Sequence, residues 1–115
     1  MIRAVFATAL AVLLIACAKR ETVLGNFFPG ERAAIAALKT VDNSKPINIT
    51  GKLVEKCPIA GCWFYLEDST GRIKVDTKSA GFVVIDVPIG KQVEVAGIVT
   101  EEGSEKLLQA RGIRF

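Results

Sequence analysis

The sequence predicts an all-β domain: a small five-stranded barrel with a short helix ahead of it, behind a cleaved export signal. Three observations carry this. From Pro46 onward, apolar and polar residues alternate with the period of two that puts successive side chains on opposite faces of a strand. Turn-forming clusters, Asp68-Ser69-Thr70-Gly71 and Glu101-Glu102-Gly103-Ser104, separate the alternating runs. Five strands in a chain of 115 residues leave exposed edges as a flat sheet, and closure into a barrel removes them.

The elements follow in order. Met1-Ile2-Arg3 is a short positive start, and Ala4 to Ala16 is an apolar run broken only by Thr8. That run has the length of an export signal and is too short to span a bilayer, which takes about 20 apolar residues. Residues 1–16 are therefore read as a signal peptide. Leu14-Ile15-Ala16-Cys17 resembles the bacterial lipobox, in which the cysteine is diacylated and becomes the first mature residue. The resemblance implies a membrane anchor of palmitate-type chains on Cys17, each buried CH₂ adding about 0.8 kcal/mol. Ala18 stands where an aspartate would retain such a protein at the inner membrane. The expected location is thus the outer membrane, facing the periplasm. Residues 17–30 are read as the lipidated cysteine and a linker, with Phe27 and Phe28 packing on the domain edge.

The domain proper is expected over residues 31–115. Pro29-Gly30 precedes a short helix over 31–40, with Glu31 in its first turn and Ala34, Ile35 and Leu38 on one face. The barrel is expected over 46–115. Its first strand carries Ile47, Ile49 and Leu53 inward, interrupted by Gly51, which marks a bulge or a sharp coil. Cys57-Pro58-Ile59-Ala60-Gly61-Cys62 is a tight connection to a second strand with Phe64 and Leu66 inward. A third strand runs from Arg72 to Thr77, and a hairpin of two more covers Lys91–Thr100 and Glu105–Phe115.

Three stretches carry a wider resemblance: Gly51-Lys52-Leu53-Val54, the run from Phe64 to Val75, and the run from Gly90 to Gly97. Together they resemble the OB-fold of the tRNA-anticodon-binding type, over roughly residues 46–115. Lys78 to Gly90 departs from that pattern: it is apolar, carries Pro88, and matches poorly the helix an OB-fold often places there. The chain also looks like small uncharacterised bacterial lipoproteins and secreted proteins that share a Cys-x4-Cys-Trp hairpin on an OB-like barrel. That second resemblance implies no activity.

Composition excludes several classes of chemistry. The sequence has no histidine, and its one methionine, Met1, leaves with the signal. There is then no histidine base, no Ser-His-Asp or Cys-His pair, and no imidazole or thioether ligand. The carboxylates Glu67, Asp68 and Asp76 read as turn and surface residues, so no catalytic residue is assigned. The formal net charge of +3 is too weak to imply a polyanionic partner by itself.

Two groups of residues remain as candidate sites. Cys57 and Cys62 face each other across a hairpin neck, where opposed residues lie within disulfide range. A disulfide there contributes about 2 kcal/mol. The same pair as free thiols is suited to Cu(I) or to reversible redox chemistry. The second group is the outward face of the first three strands, which by parity presents Lys52, Lys56, Trp63, Tyr65, Arg72 and Lys74. Aromatics flanked by cations stack on flat ligands and pair with anionic ones. The leading expectation is a membrane-anchored, non-enzymatic binding module of the cell envelope, needing no cofactor, with a protein, peptide or glycan partner. Copper(I) or thiol-redox chemistry at Cys57 and Cys62 is the first alternative. Single-stranded nucleic acid on the barrel face is the second.

Overall fold

A computed structural model describes residues 20–115. The expected signal peptide and the lipidation at Cys17 lie outside the described residues. Five long strands form the barrel: β3 (Pro46–Lys56), β4 (Trp63–Asp68), β5 (Gly71–Asp76), β6 (Gln92–Glu102) and β7 (Glu105–Arg114). Two short ones precede them, β1 (Val23–Gly25) and β2 (Glu31–Arg32). The antiparallel meander β3-β4-β5 meets β7 through a parallel pairing of Val75 and Asp76 with Leu108 and Gln109. β7 pairs antiparallel with β6, and β6 returns to β3, which closes the ring. This is the all-β, five-stranded architecture expected from the alternation.

The inward residues of all five strands make one core. Ile47, Ile49, Leu53, Phe64, Leu66, Val75, Val93, Val95, Val99, Leu108 and Ile113 are all 0 or 1 % exposed. Burial of each such side chain contributes roughly 1.5–3 kcal/mol. Gly51 lies on this inward side, where β3 leaves its pairing with β6 and takes up β4. A Cβ there would sit 2.6 Å from the Glu67 carbonyl oxygen, so the strand coils at Gly51 because only glycine lets the β4 backbone come so close. The bulge itself falls later, between Leu53 and Glu55.

Two plugs close the ends of the barrel. The first differs from the helix expected over 31–40. Glu31 and Arg32 are extended and pair in parallel with Ile47 and Asn48, and a 3₁₀ helix begins only at Ile35 and runs to Thr40. Its three-residue turn stacks Ile35 and Leu38 on one face, and both are buried. Its first N–H groups are met from another element: Ile35 N–H donates to Asp68 Oδ2 at 2.9 Å and Ala36 N–H to Thr70 Oγ1 at 3.0 Å. Asp68 Oδ1 also accepts from Thr70 N–H, Thr70 Oγ1 and Gly71 N–H. One carboxylate therefore shapes the β4–β5 turn and caps the plug.

Burial pushes the Asp68 carboxyl upward, but the Thr70 hydroxyl and the N–H groups of Ile35, Thr70 and Gly71 outweigh it and hold it below the ordinary carboxylate range. A depressed folded pKa adds stability above the unfolded value of about 3.9, and that contribution is lost as pH falls through the folded value. Asp68→Ala is expected to cost about 1–2 kcal/mol in urea denaturation at pH 7. Below pH 4 the difference from the parent chain should shrink.

The second plug is the segment between β5 and β6. It carries no α-helix, only a 3₁₀ turn at Lys78–Ala80 followed by irregular chain that buries Val84 and Val87. Thr77 N–H and Val84 N–H donate to the carbonyls of Cys62 and Gly61, which ties this plug to the β3–β4 loop.

The stretch expected as a linker joins the fold from Thr22 onward. β1 pairs antiparallel with the end of β7, Val23 opposite Arg114 and Gly25 opposite Gly112. Thr22 and Phe115 exchange two backbone hydrogen bonds, of 2.7 and 3.0 Å. The buried Asn48 side chain then pins the next residues, accepting from Gly30 N–H at 2.6 Å and donating to the Phe28 carbonyl at 3.0 Å. Phe27 lies under the Arg114 guanidinium, 4.6 Å from its ring centre. Both phenylalanines are half-buried.

Candidate functional site

The outward face of the β4–β5 hairpin holds the aromatic group. Trp63 and Tyr65, two residues apart on β4, meet edge to face with centroids 5.7 Å apart and planes at 77°. On β5, Lys74 stands directly opposite Tyr65 and Arg72 opposite Glu67. The Arg72 guanidinium reaches diagonally over the Tyr65 ring at 4.5 Å, and the Lys74 ammonium lies 5.6 Å from the Trp63 ring. Each contact contributes about 0.5–1 kcal/mol at an exposed site. Trp63, Tyr65, Arg72 and Lys74 therefore come together as the alternation indicates.

The two lysines of β3 do not join them. Lys52 faces outward opposite Glu67, one row away from Tyr65. Lys56 is on the wrong side altogether. The bulge between Leu53 and Glu55 shifts the alternation by one residue, so Glu55 stands opposite Tyr65 and Lys56 opposite the buried Phe64. The Lys56 ammonium turns under the barrel and donates to the carbonyls of Val87 at 2.6 Å, Ile85 at 2.7 Å and Val84 at 3.5 Å. It is a structural anchor for the second plug. Its place beside Tyr65 is taken by Glu55, whose carboxylate pairs with Arg72. Simple alternation misses Glu55 because the bulge leaves no glycine or proline as a marker.

Beside this face runs a groove of about 740 Å³ between the β4–β5 hairpin and the β6–β7 hairpin. Tyr65, Arg72 and Lys74 line one wall, and Glu101, Glu102 and Glu105 line the other. Lys106 lies in the acidic wall, but it is engaged by Glu101, Asn43 and the Val41 carbonyl. β5 meets β7 only at Val75 and Asp76, so the edge of β5 from Arg72 to Lys74 has no strand partner on that side among the described residues. The acidic wall is visible in the sequence only as turn residues. Its position opposite Arg72 follows from barrel closure.

The β3–β4 loop forms the other flank. Cys57 N–H donates to the Trp63 carbonyl and Gly61 N–H to the Cys57 carbonyl, which fold the loop back at its neck. Gly61 takes a φ of +58°, and its backbone lies against that of Ile85. The structure shows no disulfide at this neck: Cys57 and Cys62 stand as half-buried thiols. The two thiols influence each other's titration. The N–H groups of Ala60 and Ile59 pull the Cys57 thiol down to about 7, outweighing burial, which opposes them, with a smaller help from the Cys62 thiol. Burial, with the neighbouring Cys57, pushes Cys62 up. Among the described residues no cluster of three or more Cys, Asp or Glu side chains is placed to hold a metal. The two sulfurs are thus the whole donor set at this loop.

Neither the protein-family models nor the curated proteins give a match to this sequence. Solved structures do. The chain is similar to the hypothetical protein ygiW from E. coli, with a TM-score of 0.58 and 21 % identity over 78 % of this chain and 97 % of that one. It is similar to a chain of the S. pombe Stn1–Ten1 complex, with a TM-score of 0.57 and 8 % identity over 74 % of each. It is also similar to a chain of a replication protein A heterotrimer bound to single-stranded DNA, with a TM-score of 0.51 and 13 % identity over 66 % of this chain and 60 % of that one. At these identities the likeness extends to the architecture alone, and that architecture is the OB-fold.

Proposed function

We propose that this protein is a binding module of the bacterial cell envelope, held at a membrane by a lipidated Cys17, that takes an extended protein segment in the groove beside Tyr65. OB-folds commonly use this region, the face of their second and third strands with its flanking loops. The observation that carries the reading is the unpartnered β5 edge from Arg72 to Lys74, lying between a basic and an acidic wall. An extended peptide can add to such an edge through its backbone while its side chains meet both walls. A polyanion fits less well. Glu101, Glu102 and Glu105 face it across the groove, and Glu55 already neutralises Arg72. The single-stranded DNA on one structural neighbour keeps nucleic acid as the outcome to test against.

The test is a titration of the full chain with a panel of extended peptides carrying both charges, and with a fifteen-residue oligothymidylate, followed by amide chemical shifts. Peptide binding that perturbs Arg72–Lys74, and that weakens at least tenfold in the Tyr65→Ala, Lys74→Ala double variant, is expected. Tighter oligothymidylate binding with a steep salt dependence would overturn the reading. The anchor is checked separately: labelled palmitate should enter the expressed protein and be absent from Cys17→Ser.

A further inference from the structure

We propose that Cys57 and Cys62 form a thiol–disulfide exchange site, with Cys57 as the attacking sulfur, Cys62 as the resolving one, and an exposed protein disulfide as substrate. The proposal does not depend on the groove, since the thiols sit on the other flank of the hairpin. The geometry supplies three requirements. The bonds from Cys57 N–H to the Trp63 carbonyl and from Gly61 N–H to the Cys57 carbonyl fold the loop back on itself, which keeps the two thiols within reach of each other. They differ: the N–H groups of Ala60 and Ile59 favour a thiolate on Cys57, whereas burial and the neighbouring Cys57 disfavour one on Cys62. From the neighbouring plug Lys78 acts on Cys62, weakly and in the opposite sense to burial. The surroundings are also those of a docking site. Ile59 at the loop tip is 87 % exposed, and Ile85, whose backbone lies against Gly61, is 49 % exposed. Apolar side chains flanking a reactive pair fit a polypeptide better than a small hydrophilic disulfide.

Exchange uses the two sulfurs one at a time. The Cys57 thiolate attacks one sulfur of the substrate disulfide. A Cys57–substrate bond forms, the substrate S–S bond breaks, and the departing thiolate takes a proton from solvent. Cys62 then gives up its proton and attacks the Cys57 sulfur, which releases the second substrate thiol. Two electrons and two protons pass from the pair to the substrate, and a Cys57–Cys62 disulfide remains.

The experiment uses the reduced full chain and its Cys57→Ser and Cys62→Ser variants. Each is incubated at pH 7 with a disulfide-bonded peptide carrying apolar flanks, and separately with oxidised glutathione, then quenched and read by mass spectrometry. Cys62→Ser should accumulate a mixed disulfide with the peptide at Cys57. Cys57→Ser should form at least tenfold less at Cys62. The parent chain should become two hydrogens lighter and release reduced peptide faster than it reduces glutathione disulfide. Alkylation of the parent at pH 7 should favour Cys57 by about tenfold, as the larger thiolate fraction requires. Equal trapping by the two variants, or no trapping by Cys62→Ser, would overturn the assignment. Equal rates with peptide and glutathione disulfide would overturn the protein substrate. Retention of one Cu(I) against a competing thiol chelator, with no exchange, would replace the site with a metal site.

Discussion

Lys56→Met is expected to destabilise the domain by about 2–3 kcal/mol, while Lys52→Met, four residues earlier on the same strand, changes stability by less than about 0.5 kcal/mol. The two lysines look alike in the sequence, and the bulge between them separates their roles. Lys56 donates to three carbonyls of the plug that buries Val84 and Val87. Hydrogen bonds from a charged donor contribute about 1.5–3 kcal/mol each, and the methionine leaves the carbonyls to find water at an exposed rim, which recovers part of the loss. Lys52 is exposed and its ammonium sits among solvent, so it behaves as an ordinary surface residue. Urea denaturation of both variants measures the difference. Hydrogen exchange should also quicken at the amides of Val84, Val87 and Gly90 in Lys56→Met, with the amides of β6 and β7 slowest to follow.

Gly51→Ala is expected to cost about 3 kcal/mol. Its new methyl would lie 2.6 Å from the Glu67 carbonyl oxygen and 3.0 Å from Leu66 Cγ. The first of these is backbone in a central strand and cannot swing aside. β3 and β4 must separate at the point where β3 changes partners, and overpacking of this kind costs about 1–3 kcal/mol or more. A control isolates the cause. Gly103 has a φ of +65° with nothing within 4 Å of an added methyl, so Gly103→Ala carries only the left-handed backbone penalty. That penalty is about 1–2 kcal/mol. A midpoint shift for Gly51→Ala no larger than for Gly103→Ala would show that the close approach does not govern this position.

These residues also mark what the sequence can and cannot reveal. Strand positions are legible because each barrel strand buries one face, so Phe64 and Leu66, or Val93 and Val95, show the period directly. The turns are legible because Asp68 and Gly103 are typical turn residues. The aromatic face is legible for the same reason as the strands: Trp63 and Tyr65 share a parity that nothing interrupts. Parity fails after Leu53, where one extra residue reverses every later side chain of β3. It therefore misplaces Lys56 and hides Glu55. The N-terminal plug escapes a local reading because its geometry is set by partners far away in sequence: Asp68 and Thr70 fix where the 3₁₀ helix starts, and no local pattern encodes them. Val23–Gly25 reads as linker because three residues carry too little pattern to announce a strand whose partner lies at the other end of the chain. The acidic wall of the groove likewise depends on closure, which brings Glu101–Glu105 across from Arg72.

The pairing of β1 with β7 has a mechanical consequence. Thr22 and Phe115 bond to each other at the open end of an antiparallel ladder, so tension applied between these two residues loads the ladder one hydrogen bond at a time. Such a ladder peels at low force, beginning at Thr22 and reaching Asn26, whose N–H donates the last of these bonds to the Arg111 carbonyl. Of the five strands that close the ring, only the end of β7 takes part in this ladder, and β3 to β5 lie outside it. A pull on the N-terminal side would thus lengthen the chain by a few residues before it strained the barrel. The short strand β1 acts as a fuse, yielding first and able to re-form when the tension is released.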